Sequence, residues 1–315
     1  MKICLTGASG FIGSAISRSL LESKSSEIIL LPLSRRSVRL SDDLKSTEID
    51  LGDLSSFESE KLQGCDSLIH AAARAHVSKS KSCSPLSEYR KINRDATLEL
   101  ARLASNAGIK RFVFLSSIGV NGASSKSSFT ENAVIAPHDD YSLSKYEAEI
   151  GLLDIAKNTG MEVVIIRPPL VYGPGAPGNF KTLVKWVKKS IPMPFGSIHN
   201  CRSFIALDNL IDFVLLCADK EKSPKAANEV FLISDGEDVS TSEFLSKVSS
   251  ACGVKSRLIP MPIKPIVVVA RLLGREDILR RLFGNLQVDS SKARELLNWR
   301  PVVTMDKQLS KSCEL

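Results

Sequence analysis

The sequence predicts a doubly wound α/β fold: a parallel sheet covered by helices on both faces, interleaved with a smaller C-terminal lobe. Three features carry that expectation. Apolar strands alternate with helix-period segments through the first half of the 315-residue chain, the pattern of a sheet buried on both sides. A glycine-rich turn, TGASGFIG (6–13), joins the first strand to the first helix. After Pro168 the texture changes to the Pro/Gly-rich PPLVYGPGAPGN (168–179), and helices with few buried-strand signals follow.

The elements follow in order. KICLT (2–6) reads as the first strand and FIGSAISRSLLE (11–22) as a helix, with Ile12, Ala15, Ile16 and Leu20 at helical spacing. EIILLPL (27–33) is the second strand, a third ends near Ile49, and SLIHAA (67–72) is the fourth. SEYRKINRDATLELARLASNAG (87–108) reads as one helix stopped by glycine. RFVFLSS (111–117) is the fifth strand, YSLSKYEAEIGLLDIAKNTG (141–160) a second glycine-stopped helix, and EVVIIRP (162–168) the sixth strand. ASSKSSF (123–129) is a solvated loop, and DNLIDFVLLCADK (208–220) a helix packing back on the sheet. The expected division is therefore residues 1–168, joined by about 203–222, against a lobe drawn mainly from 169–315. No internal repeat is visible.

Composition narrows the partners. Forty-two Lys and Arg against 35 Asp and Glu give a net charge of +7, but the cations are spread along the chain with no long run interleaved with aromatics. Nucleic acid is a weak reading, and an acidic small substrate absorbs the excess. KTLVKWVKK (181–189) reads as a solvated helix face. The seven cysteines, at 4, 65, 83, 201, 217, 252 and 313, are odd in number and lack CxxC spacing. Neither a disulfide framework nor a metal site is suggested, and a reducing, cytoplasmic compartment fits. Glycines 7, 10 and 13 interrupt the apolar N-terminus, so it does not read as a signal peptide. IVVVARLL (266–273) is too short to span a membrane. A soluble chain without membrane insertion is expected.

The glycine turn is the first chemical motif. Gly7 permits the tight turn, Gly10 lets the backbone approach a pyrophosphate, and Gly13 lets the helix pack closely on the strand. Phe11 and Ile12 lie in the first helical turn, whose N–H groups and positive dipole end suit an anion. Placed on the first strand of such a pattern, the turn indicates a dinucleotide site. YSLSK puts Tyr141 and Lys145 one helical turn apart on one face. A nearby ammonium would stabilise a phenolate and lower the tyrosine pKa, letting it exchange a proton with an alcohol or ketone. Ser117 ends the fifth strand 24 residues before Tyr141, at the sheet edge where ligands bind, and could hold the reacting oxygen. Ser116 beside it could share or take that role.

Taken together, TGASGFIG, GDL (52–54), LIHAAA (68–73), Asn93, LSS (115–117), YSLSK and RPPLVYGPG (167–175) resemble the extended short-chain dehydrogenase/reductase family, in its nucleotide-sugar epimerase/dehydratase group. The resemblance covers most of the chain and implies a Rossmann fold. It implies that Ser117, Tyr141 and Lys145 are the catalytic triad and that Asp53 and Leu54 contact adenine. It further implies that Ala71, Ala72 and Ala73 line the cofactor and that Asn93 supports the site. GNF (178–180), PFG (194–196) and CRSF (201–204) are similar to the group's diphosphate-holding segments. On that likeness Asn179 bonds a phosphate, Phe195 lies against uracil and Arg202 pairs with the diphosphate. By residue type alone, Arg202 serves equally as a surface ion pair and Phe195 as a core aromatic. The same resemblance admits a homodimer.

Two departures narrow the reaction. The group's 4,6-dehydratases carry an Asp–Glu pair after the catalytic hydroxyl residue; here Ile118 and Gly119 follow, with no proton to give. Many epimerases read VYG shortly after that serine, whereas this chain reads VNG (120–122). With the PFGSIHNCRSF block, that looks closer to reductases of 4-keto-6-deoxy-N-acetylhexosamine nucleotides. The second strand runs into LSRRS, so Arg35 and Arg36 stand where an NAD-binding chain usually places a carboxylate, and they suit the 2′-phosphate of NADP. NADP(H) is the expected cofactor, with NAD(H) admissible. The expectation is NADPH-dependent reduction of a UDP-linked 4-keto sugar for surface polysaccharide. The alternatives are a UDP-hexose 4-epimerase with bound NAD and a non-catalytic NADP-sensing regulator.

Overall fold

The computed structural model describes residues 1–22, 29–41, 44–55, 57–75, 85–262 and 283–314. The start of the expected second strand at 27–28, Cys83 and the apolar stretch 266–273 lie outside them.

Six parallel strands, β1 (Lys2–Thr6), β2 (Ile29–Ser34), β3 (Thr47–Glu48), β4 (Ser67–His70), β5 (Arg111–Leu115) and β6 (Glu162–Arg167), run in the order β3-β2-β1-β4-β5-β6, and β9 (Val230–Leu232) adds a seventh at the β6 edge. Such an order needs a crossover after each strand. Helix α1 (Phe11–Glu22) follows β1, α3 (Ala96–Asn106) lies between β4 and β5, and α4 (Asp140–Thr159) lies between β5 and β6. Alternation along the strands divides the core between the two faces. Ile3, Leu5, Val113, Leu115, Val164 and Ile166 join one cluster, and Cys4, Phe112, Phe114, Val163 and Ile165 join the other. Helix α6 (Leu207–Ala218) completes the first cluster through Leu210, Phe213 and Val214, as the sequence suggested for 208–220.

The expected helix over 87–108 is three pieces. Helix α2 (Pro85–Arg90) leads into a π-helical turn (Lys91–Asp95) and then α3. The wider turn carries Asn93, which is fully buried, and π-bulges of this kind recur at functional sites. Around a second sheet, β10-β8-β7, made by β7 (Leu170–Tyr172), β8 (Arg202–Ala206) and β10 (Asp238–Val239), a further core gathers Tyr172, Phe180, Phe204 and Phe244. It is covered by α5 (Asn179–Lys188), α7 (Thr241–Ala251) and α9 (Met305–Cys313), while α8 (Ser291–Leu297) sits beside β9.

One cysteine expectation fails. Cys252, just after α7, and Cys313, at the end of α9, form a disulfide across 61 residues of sequence. Spacing along the chain could not indicate it, because packing of α9 on α7 is what brings the two sulfurs together.

Candidate active site

The glycine turn is sterically specified. Gly7 has φ +73°, and a Cβ there would meet the Ala72 backbone nitrogen at 2.7 Å. A Cβ on Gly13 would meet the Gly7 carbonyl oxygen at 2.1 Å, so α1 can start against β1 only with glycine at both places. The first turn of α1 holds no acidic residue. The N–H groups of Phe11, Ile12 and Gly13 there lack intrahelical partners and are not neutralised locally. These residues fit a pyrophosphate. The neighbouring strand ends at Ala71, Ala72 and Ala73 run past this turn, and Ala71 donates to the Thr6 carbonyl (3.3 Å).

At the end of β2, Ser34 is buried and shares a 2.6 Å hydrogen bond with the Ser46 hydroxyl. Arg35 and Arg36 are exposed, and neither guanidinium has an ion-pair partner among the described residues. The Glu48 carboxylate, at the end of β3, is taken up by the Ser37 amide (3.0 Å). The corner is cationic and fits a phosphate. Asp53 is exposed, and the Ser55 amide and hydroxyl hold its carboxyl below the usual carboxylate range. Leu54 packs against the second core cluster.

The strand end of β5 separates its two serines. Successive side chains point to opposite sides, and Ser116 turns inward to donate to the buried carboxylate of Glu149. Ser117 faces the half-exposed side, where its Oγ accepts from the Gly119 amide (3.1 Å). Ser116 is thus committed to the core, leaving Ser117 at the sheet edge. Helix α4 begins with a capping box between Asp139 and Ser142 and ends on Gly160 in the left-handed region. His138, just ahead of that cap, is 3.2 Å through Nδ1 from the Gly119 carbonyl, which stitches the start of α4 to the Ser117 loop.

Tyr141 and Lys145 lie one turn apart on α4. The Lys145 ammonium is buried, donates to the Leu115 carbonyl (2.8 Å) and stands 4.2 Å over the Phe114 ring. It is therefore held at the strand end that Ser117 continues. Burial lowers its pKa to about 7. Tyr141 moves the other way, to about 12, through burial and the nearby Asp139 and Tyr89. The expectation that lysine lowers the tyrosine pKa is not met in this arrangement. The ammonium engages Leu115 and Phe114, and desolvation of the phenolate dominates. Tyr141 is held as a neutral phenol. Asn93 accepts the Arg74 amide through Oδ1 (2.8 Å) and donates to the Arg74 carbonyl and the Ser144 hydroxyl (3.1 and 3.0 Å). Ser144 in turn bonds the Tyr141 carbonyl (2.7 Å), so Asn93 ties the segment after β4 to the helix between Tyr141 and Lys145.

Other expected contacts are spread over the second lobe. Asn179 opens α5 after Gly178 at φ +70°. Phe195 is half-buried against the lobe core, and its carbonyl accepts from the Ser242 hydroxyl. Arg202 begins β8 and donates through Nη1 to the Gly284 carbonyl (2.7 Å), so part of its fork is engaged within the protein. Sequence reasoning passed over Glu149 and Arg167, a buried ion pair that also bonds Ser116 and Asn121. A signal was present. Glu149 stands four residues after Lys145 on the inward face of α4, and a buried carboxylate requires a partner. Asn121, the departure in VNG, completes that network.

The profile of the NAD dependent epimerase/dehydratase family matches residues 3–233. The chain is 42% identical over 316 aligned positions to a UDP-glucose 4-epimerase of Vibrio cholerae, covering 99% of this chain and 94% of that one. The fold is similar to that of UDP-glucuronic acid 4-epimerase from Bacillus cereus in complex with NAD (TM-score 0.79, 23% identity, 100% and 98% covered). It is also similar to RMD from Pseudomonas aeruginosa complexed with NADPH (TM-score 0.74, 18% identity, 100% and 99% covered). The chain belongs to the NAD dependent epimerase/dehydratase family. It is an enzyme of the extended short-chain dehydrogenase/reductase type, within a family described as NAD dependent.

Proposed function

We propose that this enzyme reduces the ketone of a UDP-linked 4-keto sugar with NADPH, the sugar being a 4-keto-6-deoxy-N-acetylhexosamine destined for surface polysaccharide. The observation that carries the reading is the end of β2. Two exposed arginines stand there without ion-pair partners among the described residues, and the residue before them is a serine rather than a carboxylate. NADPH, when bound, supplies hydride to the sugar ketone. This chain's residues do the rest. Ser117 holds the ketone oxygen, Tyr141 donates its phenolic proton to that oxygen, and Lys145 binds the nicotinamide ribose. Asn179, Phe195 and Arg202 hold the UDP. The presence of Ser117, Tyr141 and Lys145 together argues against a non-catalytic sensor.

A second reading, a UDP-hexose 4-epimerase with tightly held NAD, is favoured by the 42% identity to the Vibrio cholerae protein. An epimerase returns hydride to its own substrate and consumes no cofactor. The test is the ratio of NADPH to NADH efficiency with a 4-keto nucleotide sugar, in wild type and in Arg35→Ala/Arg36→Ala. Wild type is expected to prefer NADPH and the double variant to lose that preference by about tenfold or more, with little change for NADH. The effect should shrink at high salt because the corner is exposed. If wild type prefers NADH, or retains NAD and consumes neither, the epimerase reading replaces the reductase.

A further inference from the structure

The outer face of α5 is uniformly cationic. Lys181, Lys185, Lys188 and Lys189 all point to solvent on one side of the helix, while Phe180, Leu183, Val184 and Val187 face the lobe core. Beside the lysines stands Trp186, 40% exposed, and the turn that follows leaves Ile191 38% exposed. The chain then runs alongside the segment after α7. Met193 donates to the Arg257 carbonyl (3.0 Å) and accepts from the Ile259 amide (2.8 Å). Arg257, Ile259 (47% exposed) and Met261 (36% exposed) thereby border the same turn, with Lys255 two residues earlier.

Six cations and four large apolar side chains therefore share a patch, and its own segments, 179–202 and 252–262, contain no Asp or Glu. None of the six cations has an ion-pair partner among the described residues. Glu243, in the first turn of α7 (the helix that packs beside α5), is taken up by the Ser240 amide in a capping box. The lysines are well hydrated as they stand, but the exposed tryptophan and aliphatic side chains among them are apolar surface that an interaction partner would cover. The partner they fit presents negative charge at its surface and an apolar layer a few ångströms beneath. An anionic bilayer has that layering. Lysine heads meet the headgroups while Trp186, Ile191, Ile259 and Met261 enter the interface. A nucleic acid would satisfy the cations but offers the aliphatic side chains no comparable layer.

We infer that the α5 face, with Arg257, Ile259 and Met261, docks this enzyme peripherally on an anionic membrane surface. The helix lies in the plane of the headgroups and does not span. Because α5 begins at Asn179, docking would hold the second lobe at the membrane.

The full-length enzyme should co-sediment with phosphatidylcholine vesicles containing phosphatidylglycerol and not with pure phosphatidylcholine vesicles. Only two tryptophans are present, and Trp299 is buried, so a blue shift of emission on binding would report Trp186. Raising salt should release the protein, a test that needs no variant. Each lysine near an anionic leaflet contributes about a fivefold factor, so Lys185→Gln/Lys188→Gln/Lys189→Gln should weaken binding about a hundredfold. Turnover on a soluble nucleotide sugar should be unchanged in that variant. Failure to bind phosphatidylglycerol vesicles, equal binding to both vesicle types, or binding indifferent to the three substitutions would overturn the inference. So would duplex DNA binding of equal strength without a tryptophan shift.

Discussion

Replacing Arg167 with methionine tests the buried pair that joins the strand ends to the catalytic helix. The Arg167 and Glu149 side chains are only 5% and 2% exposed. Arg167 donates to Glu149 through Nε (3.0 Å) and Nη2, and to the Asn121 amide oxygen through Nη1 (3.1 Å). Ser116 donates to the same carboxylate. In Arg167→Met, Glu149 stays in the core with a single hydroxyl donor. Breaking one side of such a pair typically costs about 3–5 kcal/mol. Unfolding entropy of about 2.1 cal/mol/K per residue gives roughly 0.66 kcal/mol/K for this chain. The expected fall in melting temperature is then about 5–8 °C. Glu149→Met should lose a comparable amount, because it leaves a buried guanidinium. The double variant removes both charges and should be more stable than the sum of the single losses by about 2 kcal/mol or more. Calorimetric melting of the four proteins supplies the cycle. If Arg167→Met melts within about 1 °C of wild type, or the two losses simply add, the groups are not a coupled buried pair.

Tyr141→Phe should abolish turnover while leaving NADPH affinity nearly intact, measured by cofactor fluorescence titration, because only the transferable proton is removed. Lys145 offers a pH test. Its folded pKa of about 7 lies below the ordinary 10.5, so the unfolded chain binds the extra proton between those values. The penalty for burying the cation is full below about pH 7 and fades as pH rises toward 10.5. Lys145→Met should therefore raise the melting temperature of the cofactor-free protein at pH 6 and lose that advantage by pH 10. A difference independent of pH would show that Lys145 keeps its proton in the folded protein as fully as in the unfolded chain, and would refute a lowered pKa.

The alternation of strands and helices, the glycine turn and the placement of Tyr141 and Lys145 on one helical face were all legible along the chain. Those features are local. Period-2 and period-3.6 patterning reads directly from neighbouring residues, and the glycines answer to steric limits at 7 and 13 that span a single turn. The ends of α4 were legible for the same reason, since Gly160 stops it from the left-handed region. Tertiary structure decided the rest. It turned Ser116 toward Glu149, 33 residues away, and so left Ser117 at the edge. It paired Glu149 with Arg167 and Arg167 with Asn121, and joined Cys252 to Cys313. It set the Lys145 ammonium on the Leu115 carbonyl and the Phe114 ring, separating its pKa from that of Tyr141. Each of these depends on which groups share a desolvated space after the chain has crossed the sheet. Burial then sets the cost of every unpaired charge and hydroxyl, and no local period along the chain encodes that meeting.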